Sequence, residues 1–377
     1  MTQVDRTVWA LPEQLRRARE SVGLTLDEAA KLSHVQRGEL EAWERGHGHP
    51  SDEHLWDLAE TYGRPVAYFF ALTTDPPQPQ DYRATGVLAG EGLSPETRRL
   101  VVARFEELCR NQTMLERALG RERPALITAI REEARRFQNP RDLASFVRAR
   151  LGLEEGPVGK LRETVEAAGV MTFALDLARG GPAGTSWWHP TFGPAMLVNR
   201  TDATSRQLFT IAHELAHLLM QQESVLCGNL DLHRPEEVDA NAFAAELLMP
   251  EKNLREFAQP LVDMEELGGW GTSDKTLDKI ARHYATSREA TAWRLESLRL
   301  LPSGFTAARR PLWVSRPWAR KGQRWRGALR YLGPTYVVLT RDAYNNGLIS
   351  LSGMADMLDI DVGQADEWLS EEEGHRG

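Results

Sequence analysis

Residues 206–219, RQLFTIAHELAHLL, decide how this chain is read. Leu208, Ile211, Ala212, Leu215, Leu218 and Leu219 recur at steps of three and four, the apolar stripe of an α-helix. The other stripe holds Arg206, Thr210, His213, His217 and Gln221. His213 and His217 therefore project from one face about one turn apart, close enough to share one tetrahedral cation. Glu214 stands one step around the helix. From there it can take a proton from water without being a ligand, the general-base part of an H-E-x-x-H site. The bland alternative is a helix that two histidines merely decorate.

A second segment tells against that alternative. Residues 236–250, EEVDANAFAAELLMP, have helical character and stop at a proline. Glu237 is the favoured third ligand, with Glu236 and Asp239 as competitors. Ala240, Ala244 and Ala245 would let this helix approach the first closely. Asn241, one turn after Glu237, is placed to hydrogen-bond a ligating histidine from outside the ligand set. Two imidazoles and one carboxylate leave a fourth position open, which a catalytic site needs and a structural site lacks. Such a donor set favours zinc, with manganese as the alternative ion.

These two segments resemble the ImmA/IrrE family of metallo-endopeptidases. The resemblance extends upstream through GPVGKLRETVEAAGVMTFAL (156–175) and PAMLVNR (194–200), taken as the helix, strand and substrate-edge strand of a minimal zincin core, and spans roughly 140–300. It implies that His213, His217 and Glu237 bind zinc, that Glu214 activates water, and that the substrate is a protein partner. By the same resemblance that partner is a transcriptional repressor or antitoxin-like regulator, cleaved in a stress, mobile-element or toxin-linked response. No residue is assigned to stabilise the oxyanion. His233, Tyr284 and Arg206 are candidates, each with an ordinary role in packing or at the surface.

Residues 11–70 read as short helices closed by glycines, turns and cap residues, a helix-turn-helix module. LTLDEAAKLSHVQRGELEAWERGHGHP (24–50) resembles the XRE family of DNA-binding domains. Thr25, Ser51 and Asp52 are expected caps. The charge has the wrong sign for DNA, since residues 1–70 hold eight basic and twelve acidic side chains. Leu26 stands where a backbone-contacting polar residue is usual, and Glu39 and Glu41 where base-reading residues would lie. Gln36, Arg37 and Arg45 remain as DNA contacts. The alternatives for the module are double-stranded DNA or a protein surface, including homodimerisation.

Residues 73–95 are rich in Pro and Gly and read as a linker, and 94–119 as a long packing helix. Residues 273–301 read as two helices that buttress the site. Between Arg309 and Arg330 stand eight basic side chains and no acidic one, interleaved with Trp313, Trp318 and Trp325. A phosphate-bearing or single-stranded ligand would suit that segment, but a small strand-rich extension over 324–350 is the favoured reading. Residues 347–369 suggest a further helical pair. The expected division is 1–72, an XRE-like module; 73–138, linker and connecting helices; 139–300, the peptidase; and 301–377, an accessory region.

With a net charge of −8 and 41% hydrophobic residues, the chain has material for several cores. No apolar run approaches the eighteen residues of a membrane span, the start lacks a secretory layout, and Cys109 and Cys227 make no disulfide framework. Together these point to the cytoplasm. The expected fold is α+β and mostly α: a helix-turn-helix bundle, a minimal zincin-like peptidase with a small sheet, and a small C-terminal accessory domain. The expected function is conditional proteolysis of one protein partner. Two other classes stand beside it: a DNA-binding regulator or antitoxin whose peptidase fold senses or binds without hydrolysis, and an interaction scaffold in which the motif is a relic.

Overall fold

The computed structural model describes residues 12–64, 66–70, 93–178, 181–220, 235–267, 272–313, 329 and 331–374. The described residues divide into two compact units, those within 12–112 and 343–374 and those within 113–342. The fold is mostly helical with one small sheet, as the sequence pattern suggests. The segment 301–377, taken from sequence as one accessory region, is divided between the units at 342/343. Residues 113–138, taken as connector, fall in the second unit.

In the first unit, α1 (Pro12–Ser21), α2 (Leu26–Leu32), α3 (Arg37–Glu44) and α4 (Asp52–Tyr62) enclose Leu15, Ala18, Leu40, Leu58 and Tyr62. Thr25 caps α2 through a complete capping box with Glu28, and Ser51 caps α4 by accepting from the His54 N–H. Asp52 is the first residue of α4 rather than its cap. The helix α5 (Pro95–Ala118) contributes residues up to 112 to this unit. Glu107 on α5 forms an ion pair with the buried Arg64 at 2.8 Å.

The second unit is built around a three-stranded sheet, β1 (Met171–Leu175), β2 (Gly184–His189) and β3 (Gly193–Asn199), in the order β1-β3-β2. β1 runs parallel to β3, and β2 antiparallel to it. The strand PAMLVN is therefore central rather than the substrate edge expected from sequence. Its nearly continuous burial is what a middle strand shows, and the edge next to the motif helix is β2. Asn199 pins the loops at this end of the sheet, its amide donating to the carbonyls of Ala178 and Pro182 while its oxygen accepts from the Leu177 and Thr201 N–H groups.

The helices α6 (Leu126–Ala134), α7 (Pro140–Arg150), α8 (Leu161–Ala167), α9 (Thr204–Met220) and α10 (Pro235–Leu248) share one apolar core with the sheet. Because Ile127, Ile130 and Ala134 are buried in that core, α6 is part of the central domain and not a connector. α11 (Glu251–Leu267), α12 (Asp274–His283), α13 (Arg288–Ser297) and α14 (Phe305–Arg309) follow. Residues 273–301 thus hold the two helices expected there.

The strand-rich extension is corrected. Among the described residues of 324–350 there is no strand, and α15 (Pro334–Asn345) occupies more than half of them. β-Branched and aromatic residues at 336–340 suggest a strand by propensity. Tyr336, Leu339 and Thr340 are buried at helical spacing, however, and the edge of the Tyr336 ring meets Phe173. Pro334 opens the helix, the position proline tolerates best. The expected C-terminal pair is α16 (Leu351–Leu358) and α17 (Val362–Gly374). Trp318, Trp325 and most of the basic segment lie outside the described residues.

Two buried arginines fix the C-terminal end of α10, whose last carbonyls have no partner within the helix. Arg148 from α7 donates to the Leu247 carbonyl, and Arg294 from α13 donates to the Met249 carbonyl at 3.1 Å. Arg294 also pairs with buried Glu246, whose other oxygen accepts from the Glu251 N–H. Deleting one partner of a buried pair strands the other. Arg294→Ala is therefore expected to lose about 3–5 kcal/mol of stability, read as a lower urea midpoint with an unchanged slope.

Candidate active site

α9 is more deeply buried than its two-stripe pattern suggests. All of Thr210 to Leu219 is buried, including the face that carries the histidines. β2 and β3 cover one side of α9, while α6, α8 and α10 pack around the rest. Polar residues on that face therefore meet one another instead of water.

α10 starts at Pro235, so Glu236 is exposed in the first turn while Glu237 turns inward and is buried. Ala240 and Ala244, one turn apart and fully buried, let the backbone of α10 come close to α9. The small residues are what allow a carboxylate as short as glutamate to reach the histidines. Asp239, the remaining competitor, is half-buried and is not in the cluster.

The convergence is tight. His213 Nε2 lies 3.0 Å from His217 Nε2 and 3.2 Å from Glu237 Oε2, and His217 Nε2 lies 3.5 Å from Glu237 Oε1. Donors held about 2.05 Å from one tetrahedral ion sit about 3.3 Å apart. The three separations bracket that value, so the donor set fits a divalent cation. The Nδ1 of His213 is 3.1 Å from Asn241 Oδ1. An amide oxygen only accepts, so Nδ1 carries the proton and the Nε2 lone pair is turned toward the shared point.

Glu214 is fully buried, and neither of its carboxylate oxygens has a hydrogen-bond partner among the described residues. Burying a carboxylate in that way is costly unless something completes it. β2 comes close to this side chain because residue 184 is glycine. A Cβ there would stand 2.6 Å from Thr210 Cγ2, 2.7 Å from the Leu197 carbonyl oxygen and 3.6 Å from Glu214 Cγ. Gly184 is a site residue that sequence reasoning passed over. The only signal was a glycine at the start of a short strand, where close backbone approach is one of several meanings.

Of the three oxyanion candidates, Tyr284 and Arg206 are engaged elsewhere. The Tyr284 hydroxyl donates to Asn253 Oδ1 at 2.6 Å, and burial pushes its pKa up to about 12. Arg206 pairs with Asp202 at the start of α9. His233 lies outside the described residues, as does Cys227.

In the first unit, α3 presents Gln36 at its N-cap and Glu39 exposed beside it. Arg37 is paired with Asp27 at 3.0 Å and with Glu41 at 3.2 Å, and Arg45 also pairs with Glu41. Both arginines marked as DNA contacts are thus already engaged by acidic neighbours.

Two expectations follow for the cluster. Asn241→Ala is predicted to weaken zinc affinity by about 10–100-fold, since it removes the group that orients His213, with competitive chelator titration as the readout. In the metal-free chain, burial by itself would raise the pKa of Glu237. Hydrogen bonds and charge from His213 and His217 outweigh that and hold it at about 2. A carboxylate with a depressed folded pKa adds stability that is complete above its ordinary value near 4.5 and fades as pH falls toward 2. Glu237→Gln should therefore flatten the stability profile across that window, measured by urea unfolding at stepped pH.

Comparison with known proteins agrees with this geometry. Residues 165–296 match the peptidase M78 family, described as the IrrE N-terminal-like domain, and residues 15–69 match the helix-turn-helix family. No curated protein matches the chain. The segment 165–296 is accordingly an IrrE-like peptidase-family domain standing behind an N-terminal helix-turn-helix, the ImmA/IrrE architecture with its XRE-like module.

Proposed function

We propose that the chain is a cytoplasmic regulatory metallo-endopeptidase that cleaves one protein partner, a repressor or antitoxin-like regulator, under a stress, mobile-element or toxin-linked signal. The observation that carries this reading is the pairing of three converging donors with a buried carboxylate that has no hydrogen-bond partner among the described residues. His213, His217 and Glu237 would hold the ion, zinc in preference to manganese. Such an ion would lower the pKa of water toward about 7 and polarise the scissile carbonyl.

The remaining work falls to residues of the chain. Glu214 takes the proton released when water attacks and delivers it to the departing amine. With no hydrogen-bond partner among the described residues, both its oxygens are open to that task. Asn241 keeps the His213 ring in one tautomer and orientation. β2 pairs only with β3 among the described residues, so its outer edge offers backbone groups to an extended peptide. Gly184 brings that edge against Glu214.

The helix-turn-helix is proposed as the regulatory module. Contact with double-stranded DNA through Gln36, Arg37 and Arg45 would have to displace Asp27 and Glu41 from both arginines. Each of these ion pairs is partly exposed, so displacement costs little per pair, roughly 0–1 kcal/mol. The net negative charge of residues 1–70 opposes a phosphate backbone more strongly. A protein surface of complementary charge suits that module better.

The test is co-expression with the products of neighbouring genes, followed by mass spectrometry for a new protein terminus. The expected outcome is one cut in one partner that disappears with Glu214→Gln while zinc content stays at one ion per chain. If partner cleavage and phenotype survive that substitution with metal still bound, the peptidase reading falls and a non-hydrolytic regulator takes its place.

A further inference from the structure

Beyond the metal cluster, one cationic side chain stands beside the same sheet edge. Gly184 faces α9, where a Cβ would touch Thr210 and Glu214. Side chains alternate along a strand, so Ser186 and Trp188 share that face. Trp188 is four residues further along β2, about 13 Å from Gly184. It packs against the central core.

The end of β2 is held firmly. His189 Nδ1 accepts from the N–H groups of Thr191 at 3.0 Å and Phe192 at 3.1 Å, and its ring stacks on Phe192. Arg123 donates to the Phe192 carbonyl, tying the turn to the helical layer. Trp188 therefore sits on a fixed strand end.

Over its ring stands Arg131 of α6, with Cζ 3.9 Å from the ring centroid. This arginine is half-buried, and its Nε is out of solvent without a hydrogen-bond partner. No ion pair to Arg131 occurs among the described residues, and the adjacent Glu132 is engaged by Arg135 at 3.0 Å. Burial, and then the like charge of Arg135, press the guanidinium pKa down, so the positive charge is poorly compensated. A guanidinium held over an aromatic face keeps its N–H donors as a planar fork matched to a carboxylate.

We propose that Arg131, seated on Trp188, is a specificity site that receives a carboxylate side chain of the substrate about four residues from the scissile bond. This rests on the peptidase reading above, through the pairing of a substrate strand with β2. A peptide added to that edge places every second side chain on the face of Gly184 and Trp188. One of them then lies beside Glu214 and another beside Arg131. The substrate class is accordingly an extended segment with an Asp or Glu at one fixed distance from the cut.

Binding is tested apart from cleavage. The zinc-loaded full chain carrying Glu214→Gln is equilibrated with a random peptide library, and retained peptides are sequenced by mass spectrometry. The expected result is enrichment of Asp and Glu at one position, falling about tenfold with Arg131→Ala and partly kept with Arg131→Lys. Arg131→Met keeps an apolar stem over Trp188, so loss of the preference there reports charge and not packing. Arg131→Glu should exchange the preference for Lys and Arg. Retention without an acidic preference, a preference unchanged by Arg131→Ala, or no retained peptide would each overturn the proposal. The retained peptides are then offered to the chain with Glu214 intact. An acidic preference with no cut removes the peptidase reading and leaves the carboxylate site standing.

Discussion

The close approach of α9 and α10 is the constraint on which the rest of the second unit depends. Ala240 and Ala244 remove the side-chain bulk that would separate the two helices, and Glu237 can then meet His213 and His217 at a single point. Arg148 and Arg294 hold the far end of α10 through its last carbonyls, so the carboxylate is positioned from both ends of its helix. The arrangement concentrates polar groups where the fold would otherwise be apolar. Three donor atoms face one another across about 3.0–3.5 Å, and the Glu214 carboxylate beside them has no hydrogen-bond partner in the described protein. A packed core does not accumulate such groups for stability alone. They are accounted for when a cation and a water complete them.

The edge strand of the sheet is fixed by different means. β2 is short and lies at the edge of the sheet, yet three local devices set its position. Gly184 lets it lie against α9, Asn199 ties down the loops at its start, and His189 with Arg123 closes the turn at its end. An edge strand so held can offer its backbone to a peptide without moving. The first unit follows another logic, in which acidic neighbours neutralise the arginines of α3 and weaken any general attraction to phosphate.

Much of the centre was legible in the sequence, because metal-binding helices must repeat their ligands at helical spacing. The H-E-x-x-H run placed His213 and His217 together with Glu214 beside them, and the Glu237 to Asn241 step marked the third converging group and the partner of His213. What was missed shares a physical cause, since each feature depends on what packs against a residue rather than on its neighbours in the chain. The polar stripe of α9 called for something polar opposite it, but how deeply that stripe is buried follows only from tertiary packing. PAMLVN was taken as an edge when its unbroken apolar run is the mark of a central strand, and the short true edge, GTSWWH, gave no pattern of its own. The run of Tyr336, Val337 and Val338 favoured a strand by propensity until its packing made a helix. Nothing in their sequence neighbourhood marks Arg148, Arg294 and Glu246 as buried, yet all three lie in the interior as anchors for α10.

X-ray absorption of the zinc-loaded chain tests the central claim most directly. The account predicts four-coordinate zinc with two imidazole nitrogens and the remaining ligands oxygen, all at about 2.0–2.2 Å, and one imidazole fewer in His217→Ala. A sulfur shell near about 2.3 Å, or a zinc signal unchanged in both His217→Ala and Glu237→Gln, would contradict it.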